Sequence, residues 1–412
     1  MPSTPGQEIL LTASLRANPL YDLVLYDRLS APERAALAEL AKDPGFYGVL
    51  RRRDAAARSA TSATSFKSVD RDTALLFLTL REPGTLPSYV RAQLGATAPR
   101  TVARLVADGV LEVAGGGGYL SGPAALSHLT EAVDRTAGTG RIAELSVAAL
   151  RYGQALALSD PTLLSWRLYS YNRQPLTPRW QRLLPTPEAL ARHLGIDAGG
   201  AHRKLLDSAW LPSEMAGWMA WWARPRAGGG GESSARRPGG PTWKLYVSPR
   251  AEALAESFGA VLAALTAARA LQFKVGSDAG GLLRPDKIVA YFPSYERLAA
   301  AADSVLARLD GAPAQGVPFT AEIGGGGLLS WGVDPPDAER SVLGGGRESW
   351  RVWVAHRLAW ALVAGRGDIS AGAAGAEGAE GYEPWRFALE RVRLEGIDTE
   401  TWTPSAMLWK EA

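Results

Sequence analysis

The sequence contains no cysteine, four histidines and, among 45 basic residues, only seven lysines. Without cysteine there can be no disulfide, thiolate metal site or cysteine nucleophile. His128, His193, His202 and His356 are scattered and lack ligand spacing such as H-E-x-x-H, so metal hydrolysis has no support. A G-x-x-x-x-G-K-[ST] loop is missing, as is the kinase set of Gly-rich loop, strand lysine and D-F-G. No run of about 18 apolar residues occurs, so no membrane-spanning helix is expected. The first residues, "MPSTPGQEILLTASLRANPL", show no basic stretch followed by an apolar core, and a cytoplasmic protein is the expectation.

What is present reads as globular. The 412 residues are 46% apolar and 21% charged, a length that favours two domains over one core. A net charge of +3 does not by itself call for a nucleic-acid partner.

The first part of the chain reads as helical with a winged helix. "LSAPERAALAELAKD" carries Ser30 as a cap and apolar residues at helical spacing, and "GFYGVL" reads as a strand. "RRRDAAARSATSATSFKS" reads as a linker. "DTALLFLTL", "GTLPSYVRAQL" and "TAPRTVARLVADG" give three helices, followed by two short strands joined by four glycines. That order is the order of a winged helix. From 243 onward, short strands alternate with helices in "WKLYVSP", "FKVG", "KIVAYF", "VPFTAEI" and "LLSWGV". This part reads as α+β with a mainly antiparallel sheet. The domain expectation is 1–145 and 146–412. "AGGGGESSARRPGG" and the Gly/Ala-rich text from 364 to 381 read as flexible.

The lysines stand out against this Arg-rich background. Period-2 alternation in "WKLYVSPR" puts Lys244, Tyr246 and Ser248 on one face, with Leu245 and Val247 on the other. Lys274 alternates with Phe273 and Val275, and Lys287 opens the next strand. A solvated polar sheet face would carry the same pattern. The functional reading is a cluster of Lys and Arg that binds phosphate, Arg by two-pronged hydrogen bonds and Lys as a point charge. Neighbouring cations also lower the pKa of one Lys, and a neutral amine beside a phosphorylated substrate suits β-elimination. Arginine could not serve as that base, because it keeps its proton.

Residues from about 150 to 350, with "RLYSYNRQPLTPRW", "WKLYVSPR", "FKVGSDAGGLLRPDKIVAYF" and "GVPFTAEIGGGGLLSWGVDPP", resemble the HopA-type effector-like family of modified-peptide biosynthesis. More distantly, "WKLYVS" and "FKVGSD" are similar to two strands of bacterial phosphothreonine lyases. The resemblance implies elimination of phosphate from phosphoserine or phosphothreonine of a ribosomal precursor peptide. The products would be dehydroalanine or dehydrobutyrine, in lanthipeptide or thioamitide pathways, with a separate Ser/Thr kinase as partner and no cofactor. By position, Lys274 would take the Cα proton and Lys244 would neutralise phosphate or enolate. Arg284, Lys287, Arg340 and Arg347 would bind phosphate. Where those lyases place an acid His, this chain has Tyr246. The acid is Tyr246, a histidine such as His193 or His202, or absent, and the sequence leaves the choice open.

The winged-helix region then has two readings. One is recognition of a substrate leader peptide by strand addition; the other is DNA binding through Arg100 and Arg104. A non-catalytic scaffold presenting peptide to the kinase is the alternative for the chain as a whole.

Overall fold

Alternating sequence in the second half of the chain builds a seven-stranded antiparallel sheet. The computed structural model describes residues 10–38, 40–53, 66–129, 138–225, 242–335, 342–343, 346–372 and 383–405. Contacts divide the chain discontinuously into Met1–Asp134 with Ala364–Leu394, and Arg135–Val363 with Glu395–Ala412. The α+β class expected from the sequence is the class observed.

In the first unit, strands β1 (Leu15–Ala17), β2 (Tyr21–Leu25), β3 (Phe46–Arg52) and β4 (Phe66–Asp70) precede helices α1 (Arg71–Thr79), α2 (Ser88–Leu94) and α3 (Ala98–Ala107). Asp70 caps α1, its carboxylate accepting from Thr73 N at 2.7 Å. A hairpin follows, β5 (Leu111–Gly115) and β6 (Gly118–Leu120), and β1 joins it to give the order β1-β5-β6. The hairpin tip is Gly116–Gly117, both at positive φ, where glycine alone is unstrained. Helix α3 is mostly core: Val102, Ala103, Leu105 and Val106 are buried, and Arg100 and Arg104 are half-buried. Residues 54–65, within the expected linker, lie outside the described residues, but its flanks are strand: Arg51 and Arg52 close β3, and Phe66 opens β4.

The second unit begins with α4 (Arg141–Ala155) and α5 (Pro161–Tyr169). Its sheet contains β7 (Trp210–Met215), β8 (Trp218–Ala223), β9 (Trp243–Val247), β10 (Gln272–Gly276), β11 (Ile288–Phe292), β12 (Ala321–Ile323) and β13 (Leu329–Val333), in the order β12-β13-β9-β11-β10-β8-β7. The expected strands of this half are present, "VPFTAEI" only as its last three residues. Two helices, α6 (Leu254–Ala267) and α7 (Tyr295–Arg308), pack on one face of the sheet. Ser294 caps α7, and Leu298, Ala301, Ala302 and Val305 form its buried stripe. They meet Leu245, Val247, Phe273, Val275, Ile288 and Ala290 from the strands. Each large side chain buried there contributes about 1.5–3 kcal/mol.

A third helix, α8 (Trp350–Gly372), extends through Ala364–Gly372, where flexible chain was expected, even though that stretch holds three glycines; residues 373–381 of the same expectation lie outside the described residues. The segment 227–240, expected to be a flexible loop, lies outside the described residues. Trp350 at the start of α8 packs against Gly332, where a Cβ would fall 2.6 Å from the indole. Gly332 therefore lets α8 approach the face of the sheet opposite α6 and α7. Among the described residues, no helix is long and apolar enough to cross a membrane.

Candidate active site

Register decides which side chains share this second face. Lys274 opposes Ala220 on β8 and Val289 on β11, and Val289 opposes Tyr246 on β9. One residue pair along, Lys244 opposes Tyr291. Lys244, Tyr246, Lys274, Val289 and Tyr291 thus face away from the helix-covered core.

The two lysines have different surroundings. Lys244 is 6% exposed and its ammonium donates to Asp334 Oδ1 at 2.5 Å. The same oxygen accepts from Trp350 N at 3.0 Å, so Asp334 ties β13 to α8 and fixes Lys244. Lys274 is half-buried, and among the described residues no acceptor bonds its ammonium. Instead its Nζ lies 4.2 Å from the ring centroid of Trp218 and 5.8 Å from that of Tyr291. Burial, then the nearby Lys244, and also Arg284, depress the Lys274 pKa to about 8, against the opposing pull of Asp286 and Asp334.

Arg284 arrives through a tight turn. Strand β10 ends at Gly276, whose missing Cβ leaves room for Gly281; an added Cβ would sit 2.4 Å from the Gly281 carbonyl carbon. Asp278 accepts from Gly281 N at 2.6 Å and closes the turn. Arg284 then stacks its guanidinium 4.6 Å from the Trp218 centroid and grips Asp286, with Nε to Oδ1 at 2.9 Å and Nη2 to Oδ2 at 3.0 Å. Asp286 also accepts from the Tyr169 hydroxyl at 2.9 Å and pairs with Arg351 of α8 at 2.9 Å. Burial alone would raise the Asp286 carboxyl, but Arg351 and Arg284 hold it well below the usual carboxylate range. Tyr169 is pushed up to about 12, by burial and then by Asp286.

Four cations, Lys244, Lys274, Arg284 and Arg351, therefore meet two carboxylates, Asp286 and Asp334. Among the described residues this leaves an excess of two positive charges with Lys274 protonated and of one with Lys274 neutral, and either suits a phosphate monoester. Tyr246 is buried, and burial followed by the field of Asp334 raises its phenol well above the ordinary value. It therefore keeps its proton at neutral pH. Beside it on β13, Ser330 is buried with an Oγ that bonds nothing among the described residues.

The remaining expected residues go elsewhere. Lys287 is fully buried and donates to Pro249 O at 2.7 Å and Gln315 Oε1 at 2.6 Å. Both acceptors are neutral and no phosphate-facing atom is left to it among the described residues, and burial lowers it to about 7. Arg340 lies outside the described residues, as does the side chain of Arg347, whose backbone forms a two-residue strand with Gly346. His193 packs on Trp180 of the core, and His202 on Phe258 of α6. Both histidines are thus engaged with the core built on the helix-covered face of the sheet. Among the described residues, no group of three or more His, Asp or Glu is arranged to hold a metal ion.

Sequence reading missed Tyr169, Trp218, Asp286 and Asp334. For Tyr169 and Trp218 the signal was the density of aromatics and Arg in "RLYSYNR" and "GWMAWWAR", which a buried core would share; Asp286 and Asp334 lie within the stretches that carry the resemblance, with no pattern that marks them out.

No family model and no curated protein matches the chain. Among solved structures, it is similar to an effector protein from Pseudomonas syringae pv. tomato strain DC3000, at 13% identity and a TM-score of 0.35, over 63% of this chain and 97% of that one. A second, from Pseudomonas syringae pv. syringae strain 61, is 12% identical with a TM-score of 0.33, over 64% and 98%. These likenesses are too slight to carry a conclusion about activity.

Proposed function

We propose that the second unit is a phosphoserine/phosphothreonine lyase acting on a ribosomal precursor peptide. The observation that carries this reading is the contrast between the lysines: Lys244 is ion-paired, while Lys274 has no bonded anion among the described residues and a pKa lowered to about 8. At pH 7 roughly a tenth of such an amine is neutral, against about one in three thousand for an ordinary lysine. Lys274 would accept the Cα proton, and the C–H electron pair would form the Cα=Cβ bond. The Cβ–O bond breaks, and phosphate leaves with its electrons. Arg284 and Lys244 would hold the phosphate and offset the enolate charge. Tyr246, still protonated, can donate to the leaving oxygen; a monoanionic phosphate ester needs no donor, because it departs as the stable dianion.

The phosphorylated peptide would come from a separate Ser/Thr kinase, since this chain has no kinase motifs. The first unit would bind the leader, with β6 as an edge strand open to strand addition. Half-buried Arg100 and Arg104 on a largely buried α3 argue against reading a major groove.

Mass spectrometry of a phosphoserine peptide incubated with the protein tests the proposal. Loss of phosphoric acid with wild type but not with Lys274→Ala supports it. Intact phosphopeptide in both, with tight binding, leaves the scaffold reading.

A further inference from the structure

The site-bearing face does not end at Lys274. It continues over β8 to β7, the free edge of the sheet. The register forms two rows across it. Ser213, Ala220 and Lys274 are opposed in one, and Leu211, Trp222, Gln272 and Tyr291 in the next. Beyond Lys274 the row residues carry no charge, and two large apolar ones are open to solvent: Trp222 is 48% exposed and Leu211 36%. A cavity of about 510 Å³ lies against the same hairpin, with Ser213, Glu214, Met215, Trp218 and Ala220 among its lining residues, beside Leu211 and Trp222 rather than lined by them. The register joins the apolar strip to the cationic site: Trp222 opposes Gln272, the next residue on the face that carries Lys274, and Gln272 opposes Tyr291, whose ring centroid lies 5.8 Å from Lys274 Nζ.

We propose that this strip, centred on Trp222 and Leu211, is a specificity subsite that takes apolar side chains of the substrate peptide next to its phosphorylated residue. The proposal rests on the lyase reading for the identity of its substrate. Strand spacing places Leu211 about 10 Å from the β10 line that carries Lys274, which an extended peptide covers in about three residues. The subsite therefore reads positions within about three residues of the phosphorylated one. Peptide pairing along the outer edge of β7 is disfavoured by Pro212, which has no N–H to give. The peptide accordingly lies over the face rather than extending the sheet. Charge fits the same occupant: phosphate on the cationic side, uncharged bulk on the other.

The experiment compares two synthetic phosphoserine peptides, one flanked by Leu and Phe within three positions, the other by Gly and Ser. Burying one large apolar side chain is worth roughly a ten- to hundredfold preference. Wild type should favour the apolar peptide in kcat/KM by at least tenfold, and Trp222→Ala/Leu211→Ser should bring the ratio to about one. A ratio of two rates does not depend on how much of the variant is folded. Equal rates in wild type, or a preference that survives in the double variant, overturn the subsite. Should neither peptide lose phosphate, the lyase reading fails, and fluorescence anisotropy with the same peptides decides the subsite alone. An affinity preference lost in the double variant then upholds it, and equal affinities reject it.

Discussion

Lys274 Nζ lies 4.2 Å from the ring centroid of Trp218, held by an aromatic face rather than by a carboxylate. A cation over indole is stabilised by about 0.5–2 kcal/mol, too little to offset burial beside Lys244 and Arg284, so the pKa falls to about 8. An ion pair would have done the reverse and locked the proton on. Among the described residues no anion bonds this lysine, which fits it for the role of base proposed above.

Substituting Lys274 separates charge from basicity. Lys274→Arg keeps a cation that does not deprotonate, so phosphopeptide affinity should persist while elimination falls by about 10²–10⁴-fold, the usual contribution of a general base. Phosphate release and anisotropy titration read the two quantities. A variant retaining more than a tenth of the wild-type rate would exclude Lys274 as the base.

Acidity should set the rate profile. With the folded pKa near 8, log kcat/KM for the free enzyme should climb with pH and level off above about 8. Arg284→Gln removes a cation that lowers this pKa, so the bend should move to higher pH, and KM should rise because a phosphate ligand is lost. A bend that stays in place would show that another group titrates. The kcat bend should lie higher than that of kcat/KM, since bound phosphate favours the ammonium form.

How far the sequence led is clear from particular residues. In "WKLYV" and "QFKVG", apolar residues alternate with polar ones, so the face carrying Lys244, Tyr246 and Lys274 could be read directly. The β7–β8 hairpin could not: "WMAWWA" is apolar on both faces and shows no period. Nor could Asp286 and Asp334, because their roles depend on Arg351, Lys244 and Trp350 arriving from distant parts of the chain. The discontinuous division, with Ala364–Leu394 in the first unit, coincides with the start of the Gly/Ala-rich text at 364, but composition alone does not tell which unit that text joins.

The buried pair Lys244–Asp334 gives a test in which stability and activity part company. Removing one partner, as in Asp334→Leu, leaves an uncompensated buried charge and should cost about 3–5 kcal/mol. The double variant Lys244→Met/Asp334→Leu should recover part of that in urea unfolding, because an apolar pair avoids the desolvation penalty of the charges while Trp350 N still lacks its acceptor. It should remain inactive, since the charge opposite the phosphate is gone. Recovered stability together with recovered elimination would remove Lys244 from the mechanism.

Lys287 makes the opposite case, a lysine with a lowered pKa and a structural role. Burial brings it from the ordinary 10.5 to about 7, while the unfolded chain holds its proton up to about 10.5. Between these values the unfolded state binds more protons, so stability rises with pH through that window. Lys287→Met has no such proton to release. Lys274 contributes a rise of the same sign to both proteins, and it cancels in their difference. The stability of wild type relative to Lys287→Met should therefore increase from pH 6.5 to 9.5, by an amount on the order of a few kcal/mol. The bend in kcat/KM should stay where Lys274 puts it. Urea midpoints at the two pH values check the first statement and rate profiles the second. A difference independent of pH would mean that Lys287 is charged in the folded protein, and a moved bend would bring it into the active site.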